Sequence, residues 1–119
     1  MAVPSTTGGS GAGTEVLRRT VIDGANNATT TLLTVPADHI YTIMSISICN
    51  NDGSAKNMSM TVKPDGSNSI VLIQGQSIPA EGSFVYSDKF VMTAGDVIDI
   101  YCASTVTDVY CSYIDQQFA

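Results

Sequence analysis

The chain is 119 residues long, carries eleven acidic against five basic residues for a formal net charge of −6, and is only 13 % charged, about half the usual share. One domain of this length hides roughly two-thirds of the surface that its unfolded chain exposes, enough to fold without staples. The basic residues Arg18, Arg19, Lys56, Lys63 and Lys89 are scattered; they form no stripe that would neutralise phosphates, which argues against nucleic acid or an anionic membrane surface as partner.

In chain order, residues 1–14 are rich in Gly, Ser and Thr. Ordering such a segment costs more entropy than its few apolar groups return, so it reads as a flexible N-terminal arm ahead of a domain at 15–119. The arm is a candidate partner-binding segment, with Val3, Pro4, Ser5, Thr6 and Thr7 as its contact residues; the alternative is a leader without a role. It lacks a charged region followed by an apolar one, so no secretory signal is expected, and no apolar run approaches membrane-spanning length.

Strand patterns then follow at 15–22 and 28–35, separated by the turn cluster Asp23-Gly24-Ala25-Asn26-Asn27. Pro36 ends the second, since proline cannot donate to a sheet ladder. The organising stretch is Ile40–Asn50. There Ile40, Met44, Ile46 and Ile48 share one parity and Tyr41, Ile43, Ser45, Ser47 and Cys49 the other, predicting a half-buried central strand with the first set inward. Further strands are predicted at 57–63, 69–74, 83–86, 89–92, 97–103 and 109–114, with 74–82 as a longer connection between sheets and 115–119 as a polar tail. Short strands at this spacing with no helical periodicity predict an all-β antiparallel β-sandwich of about eight strands, a jelly roll.

Little in the chain reads as chemistry. His39 is the sole histidine, so a two-histidine metal site is excluded and a Ser-His-Asp triad would have to use it; a half-exposed turn residue is the simpler reading. Asp96 after Gly95 reads as a turn cap, and the carboxylate pairs Asp96/Asp99 and Asp65/Glu81 have nothing that places them in a cleft. The oxygen-rich runs Asn50–Ser54 and Pro64–Asn68 are turn formers rather than calcium loops. Asn27 and Asn57 lie in glycosylation acceptor patterns, expected to stay unmodified without secretion. Cys49, Cys102 and Cys111 form no Cys-x-x-Cys motif and read as small apolar filler, with a Cys102–Cys111 cross-strand disulfide as the alternative. The five tyrosines offer a sugar-stacking face or ordinary cross-strand packing. No enzyme, cofactor or metal is expected. The charge-poor composition suits large protein contacts, because such faces are cheap to desolvate.

Four phrases, Leu33-Thr34-Val35-Pro36-Ala37, Ile46-Ser47-Ile48-Cys49-Asn50-Asn51, Ser77-Ile78-Pro79-Ala80-Glu81-Gly82 and Thr93-Ala94-Gly95-Asp96-Val97-Ile98, with Tyr113-Ile114-Asp115 at the close, resemble a family of small virion proteins of tailed bacteriophages. The resemblance runs from Thr30 to Asp115 and departs at Glu81, where a small residue is frequent. It implies a structural role without catalytic residues: a capsid decoration (cement) protein bound to the major capsid protein, or a tail, neck or baseplate component. The expected assembly is a dimer or trimer of the chain itself, located in the virion and assembled in the host cytoplasm. A carbohydrate-binding module for host attachment is the reading from another class.

Overall fold

The computed structural model describes residues 14–25, 28–103 and 106–118. The expected contact residues Val3, Pro4, Ser5, Thr6 and Thr7 lie outside the described residues. Nine strands are present among those described: β1 (Thr14–Ala25), β2 (Thr29–Thr34), β3 (His39–Asn50), β4 (Lys56–Lys63), β5 (Ile70–Ile78), β6 (Ser83–Tyr86), β7 (Phe90–Thr93), β8 (Val97–Cys102) and β9 (Thr107–Gln117). They form two antiparallel sheets. Sheet A runs β1-β9-β3-β6, with β7 also paired to β3 beside β6; sheet B runs β2-β8-β4-β5. Because β6 and β7 share one lane, each sheet is four lanes wide, and the order is that of a jelly-roll sandwich.

The core lies between the sheets. Ile43, Ile46 and Ile48 of β3 are fully buried against Met58 and Met60 of β4 and Ile98 and Ile100 of β8. Removing each such side chain from water contributes about 1.5–3 kcal/mol. The inward set on β3 differs from the simple alternation expected. Ile43 pairs with Tyr113 while Ser45 pairs with Ser112, so Met44 is an extra residue, a β-bulge. The bulge switches parity: Tyr41 and Ile43 point inward before it, Ile46, Ile48 and Asn50 after it. Ile40 and Met44, expected inside, stand on the outer face.

Two other expectations are corrected. β5 does not stop at Gln74 but continues to Ile78, because Gly75 takes φ +62° and absorbs an irregularity opposite Ser59, whose hydroxyl accepts the Gly75 N–H at 3.0 Å. The connection between sheets shrinks to Pro79–Gly82. Nor is Asp115 part of a polar tail: β9 runs on to Gln117 and Asp115 is buried.

The turn phrases gather at the two ends of the sandwich. At one end Val35 donates to Asp96 O (3.0 Å) and Gly95 donates to Val35 O (2.9 Å). Asp96 Oδ2 accepts the Thr93 N–H (2.9 Å), the turn cap expected of it, and Oδ1 accepts the Asp65 N–H (2.8 Å). At the other end Asn50, fully buried, holds the crossing segment: its Nδ2 donates to Ser54 O, Ile78 O and Pro79 O at 3.0–3.2 Å, and its Oδ1 accepts the Asp52 N–H at 3.0 Å.

Candidate interaction surface

Several titratable side chains hold strands or turns together. Asp115 faces inward from β9 at the open end of sheet A, where Arg18 Nε donates to its Oδ2 (2.8 Å) and His39 Nδ1 bonds its Oδ1 (2.5 Å). An ionised carboxylate only accepts, so Nδ1 carries the proton. The partner of His39 is therefore Asp115 on β9, not its neighbour Asp38, whose carbonyl accepts from Phe118 N–H. Beside this group Tyr41 and Tyr113 lie with ring centroids 4.6 Å apart, and His39 meets Tyr41 edge-on at 6.4 Å. Burial, reinforced by Tyr113 and Asp115, pushes the Tyr41 phenol up to about 12; burial raises Tyr113 as well. The cluster is a strut between β1, β3 and β9.

The remaining candidates separate. Asp99 sits buried on β8, accepting from Thr31 Oγ1 (2.8 Å) with Lys63 Nζ at 3.4 Å, whereas Asp96 serves the turn. Asp65 and Glu81 stand at opposite ends of the sandwich, Asp65 bonded to Asp96 and Glu81 to Asp52. Asp52 Oδ1 accepts from the Ser54 backbone and hydroxyl, which makes the Asn50–Ser54 run a turn; Ser54 holds the Asp52 carboxyl below its ordinary value. The alternative of a cross-strand Cys102–Cys111 disulfide is not formed: β8 and β9 are not neighbours in one sheet, and both thiols are free and buried. Burial raises Cys102 to about 11 and Cys111 to about 12, so neither is nucleophilic near neutral pH. The tyrosines share no face either: Tyr41 and Tyr113 are buried, Tyr86 packs edge-on to Phe90 at 5.9 Å, and Tyr101 and Tyr110 are exposed on different sheets.

Both sheets expose apolar side chains, but they arrange them differently. Sheet B presents Thr29, Thr31, Ser59, Thr61 and Lys63, together with Tyr101 on β8 and Ile70, Val71 and Leu72 on its edge strand β5. Sheet A presents Leu17 (60 % exposed) and Val21 on β1, Tyr110 (49 %) and Ile114 on β9, and Val85 and Val91 (59 %) on β6 and β7. Cross-strand register aligns these in rows: Leu17–Ile114–Thr42–Val91 and Val21–Tyr110–Ser47–Val85. Shallow depressions flank Tyr110 on this face, one against Leu17, Arg19 and Met44, the other against Val21, Ser47 and Cys49. An exposed apolar face rimmed by polar groups marks a contact surface. Sequence reasoning missed it because the bulge hides which residues of β3 face outward, although Leu17, Arg19 and Val21 alternate openly in the sequence.

No protein-family model matches the chain, and no curated protein matches it. Among solved structures, a subunit of Bacillus endospore appendages, described as a family of disulfide-linked pili, matches with TM-score 0.54 at 15 % identity over 99 % of this chain and 100 % of that one. The capsid of Helicobacter pylori bacteriophage KHP30 matches with TM-score 0.51 at 11 % identity over 88 % of this chain and 89 % of that one. A subunit of the IBDV viral particle matches with TM-score 0.54 at 7 % identity over 87 % of this chain, which spans 31 % of that larger one. At these identities the likeness is one of fold.

Proposed function

We propose that the chain is a structural subunit of a viral particle, a decoration (cement) protein seated on the major capsid protein lattice of a tailed phage. The observation that carries this is the outer face of sheet A: rows of exposed apolar side chains, edged by a few charges, on a rigid jelly roll, a surface suited to being covered by another subunit. Such a face loses little on desolvation and gains the hydrophobic term when covered. Many copies on a lattice multiply a modest affinity per contact. The phrases shared with small tailed-phage virion proteins, and the fold likeness to the KHP30 capsid, support the same reading. Residues 1–14 extend the contact onto a neighbouring subunit through Val3–Thr7, and no catalysis, nucleic acid or membrane takes part.

The test is the position and copy number of this protein in a density map of the intact particle. Hundreds of copies on the shell are expected; about a dozen at the tail would move the same role to the neck or baseplate, and absence from particles would end it. Deleting residues 1–14 lowers shell occupancy if the arm takes part. A second reading, a subunit of a protein fibre, is favoured by the end-to-end fold match to the spore-appendage subunit. Filaments formed by the purified chain, seen in negative stain, would favour it over a shell protein.

A further inference from the structure

We infer that the outer face of sheet A is a two-fold contact between two copies of this chain. The inference assigns this face to a second copy and leaves contact with the capsid lattice to other parts of the chain; it rests on the chain being an assembly subunit. Four lanes at about 4.8 Å and the run from Ile40 to Cys49 at about 3.3 Å per residue give a face of roughly 20 by 30 Å. That is on the order of 600 Å² in flat projection, and corrugation brings it near the ~800 Å² that each partner contributes to a stable interface.

The register of the sheet supplies the symmetry. Ser45 and Ser112 pair across β3 and β9 at mid-height of the face, level with Arg19 on one edge and with the Ser87–Lys89 break between β6 and β7 on the other. An axis lying in the face, parallel to the strands and midway between β3 and β9, lays the β1 lane over the β6/β7 lane of the second copy at the same height. It sets Leu17 over Val91 of the second copy, Val21 over Val85, and Arg19 over the break that carries Asp88. The acidic corners fall on neutral groups: Glu15 over Thr93, Asp23 over Ser83, and Asp108 over Cys49. Asp108 is in any case occupied by the Gly24 N–H and the Asn51 amide. Apolar meets apolar, no two acids meet, and the face is complementary to itself, as an isologous contact requires. On sheet B the exposed Ile70, Val71 and Leu72 crowd the edge strand β5 without apolar partners across the sheet: Val71 is level with Thr61, Asp99 and Thr31.

The full chain tests this in sedimentation over a concentration series. A dimer is expected whose dissociation constant rises at least tenfold in Leu17→Lys and in Val85→Lys, while Asn57→Cys on the outer face of sheet B leaves it unchanged. Under mild oxidation or with a short bis-maleimide, Ser112→Cys, or Ser45→Cys should that variant misfold, joins two copies through one position, because a residue beside a two-fold axis meets itself. Lys89 adjoins Asp88, so the charge pair is read separately: Arg19→Asp weakens the dimer and adding Asp88→Arg restores it. A chain monomeric throughout, a dimer untouched by the lysine variants, or cross-linking equal at Asn57→Cys overturns the inference. So does loss of association on deleting residues 1–13, which would make the arm the occupant. A monomer still present at high copy in particles overturns only the two-fold contact; a dimer absent from particles overturns only the proposed role.

Discussion

Replacing Asn50 tests whether one side chain holds the crossing between the two sheets. Its amide sits in a fully buried site, with Nδ2 facing three carbonyl oxygens and Oδ1 facing one backbone N–H. Asn50→Ala removes these bonds and strands the Ile78 carbonyl, which is buried; those of Ser54 and Pro79 are nearer the surface and regain water. At about 1 kcal/mol for each of the two bonds that water does not replace, to Ile78 O and from the Asp52 N–H, and about 1–3 kcal/mol for the carbonyl left unsatisfied, the loss comes to about 3–5 kcal/mol. Asn50→Asp keeps the shape but turns an anionic oxygen toward the three carbonyls, so it costs at least as much as alanine. Urea unfolding reads both as a lowered midpoint at constant m. Asn57→Asp, at an exposed position of β4, is the control and should move stability by less than about 0.5 kcal/mol. If Asn50→Ala costs under about 1 kcal/mol, or Asn50→Asp is milder than alanine, the crossing is held by something other than this amide.

Gly95→Ala should cost about 1–2 kcal/mol, because φ is +88° and the new Cβ would collide with Asp65 Oδ1; an unchanged unfolding midpoint would contradict this. Asp115→Asn should cost about 2 kcal/mol by loosening Arg18 and His39 together, whereas Arg18→Ala, whose side chain is 50 % exposed, should cost under about 1 kcal/mol. A double-mutant cycle with no coupling would refute the strut. Alkali should destabilise the fold before the phenols titrate. Cys102 and Cys111 are raised from 9.0 to about 11 and about 12, so the unfolded chain releases those protons first. Their stabilisation is full below about pH 9 and is lost as pH rises toward the folded values, at about 1.4 kcal/mol per thiol per pH unit. Stability that stays flat from pH 8 to pH 10 would show the thiols to be better solvated than their burial implies.

The strand order was largely legible because turn chemistry punctuates the chain. Asp23-Gly24, Val35-Pro36, Pro64-Asp65-Gly66 and Gly95-Asp96 each fall at or beside a strand end. Irregularities inside strands were not legible. Nothing in Ile43-Met44-Ser45 distinguishes a bulge from plain alternation, since the extra residue is accommodated by β9, distant in sequence. Gly75 read as a loop residue because a glycine in a strand weakens it, yet here it carries the irregularity that lets β5 continue. The two buried polar anchors left a signal that went unread. Asn50 shares the parity of Ile46 and Ile48, and Asp115 that of Cys111 and Tyr113, so alternation alone directs both inward. Their residue types, which favour turns and tails, concealed it. The contact face required the structure, because its rows combine residues from five strands.

The placing of β8 and β9 has a consequence for how this chain comes to be folded in a cell. Of the nine strands described, the last two to be synthesised take inner lanes: β9 lies between β1 and β3, and β8 between β2 and β4. A nascent chain that ends before Val97 can zip β4 to β5 and β3 to β6 and β7, but β1 and β2 have no neighbour to join. Long-range closure of this kind is slow, and it leaves unpaired apolar edges exposed until β8 and β9 have emerged. Loss of β9 would split sheet A rather than trim its margin.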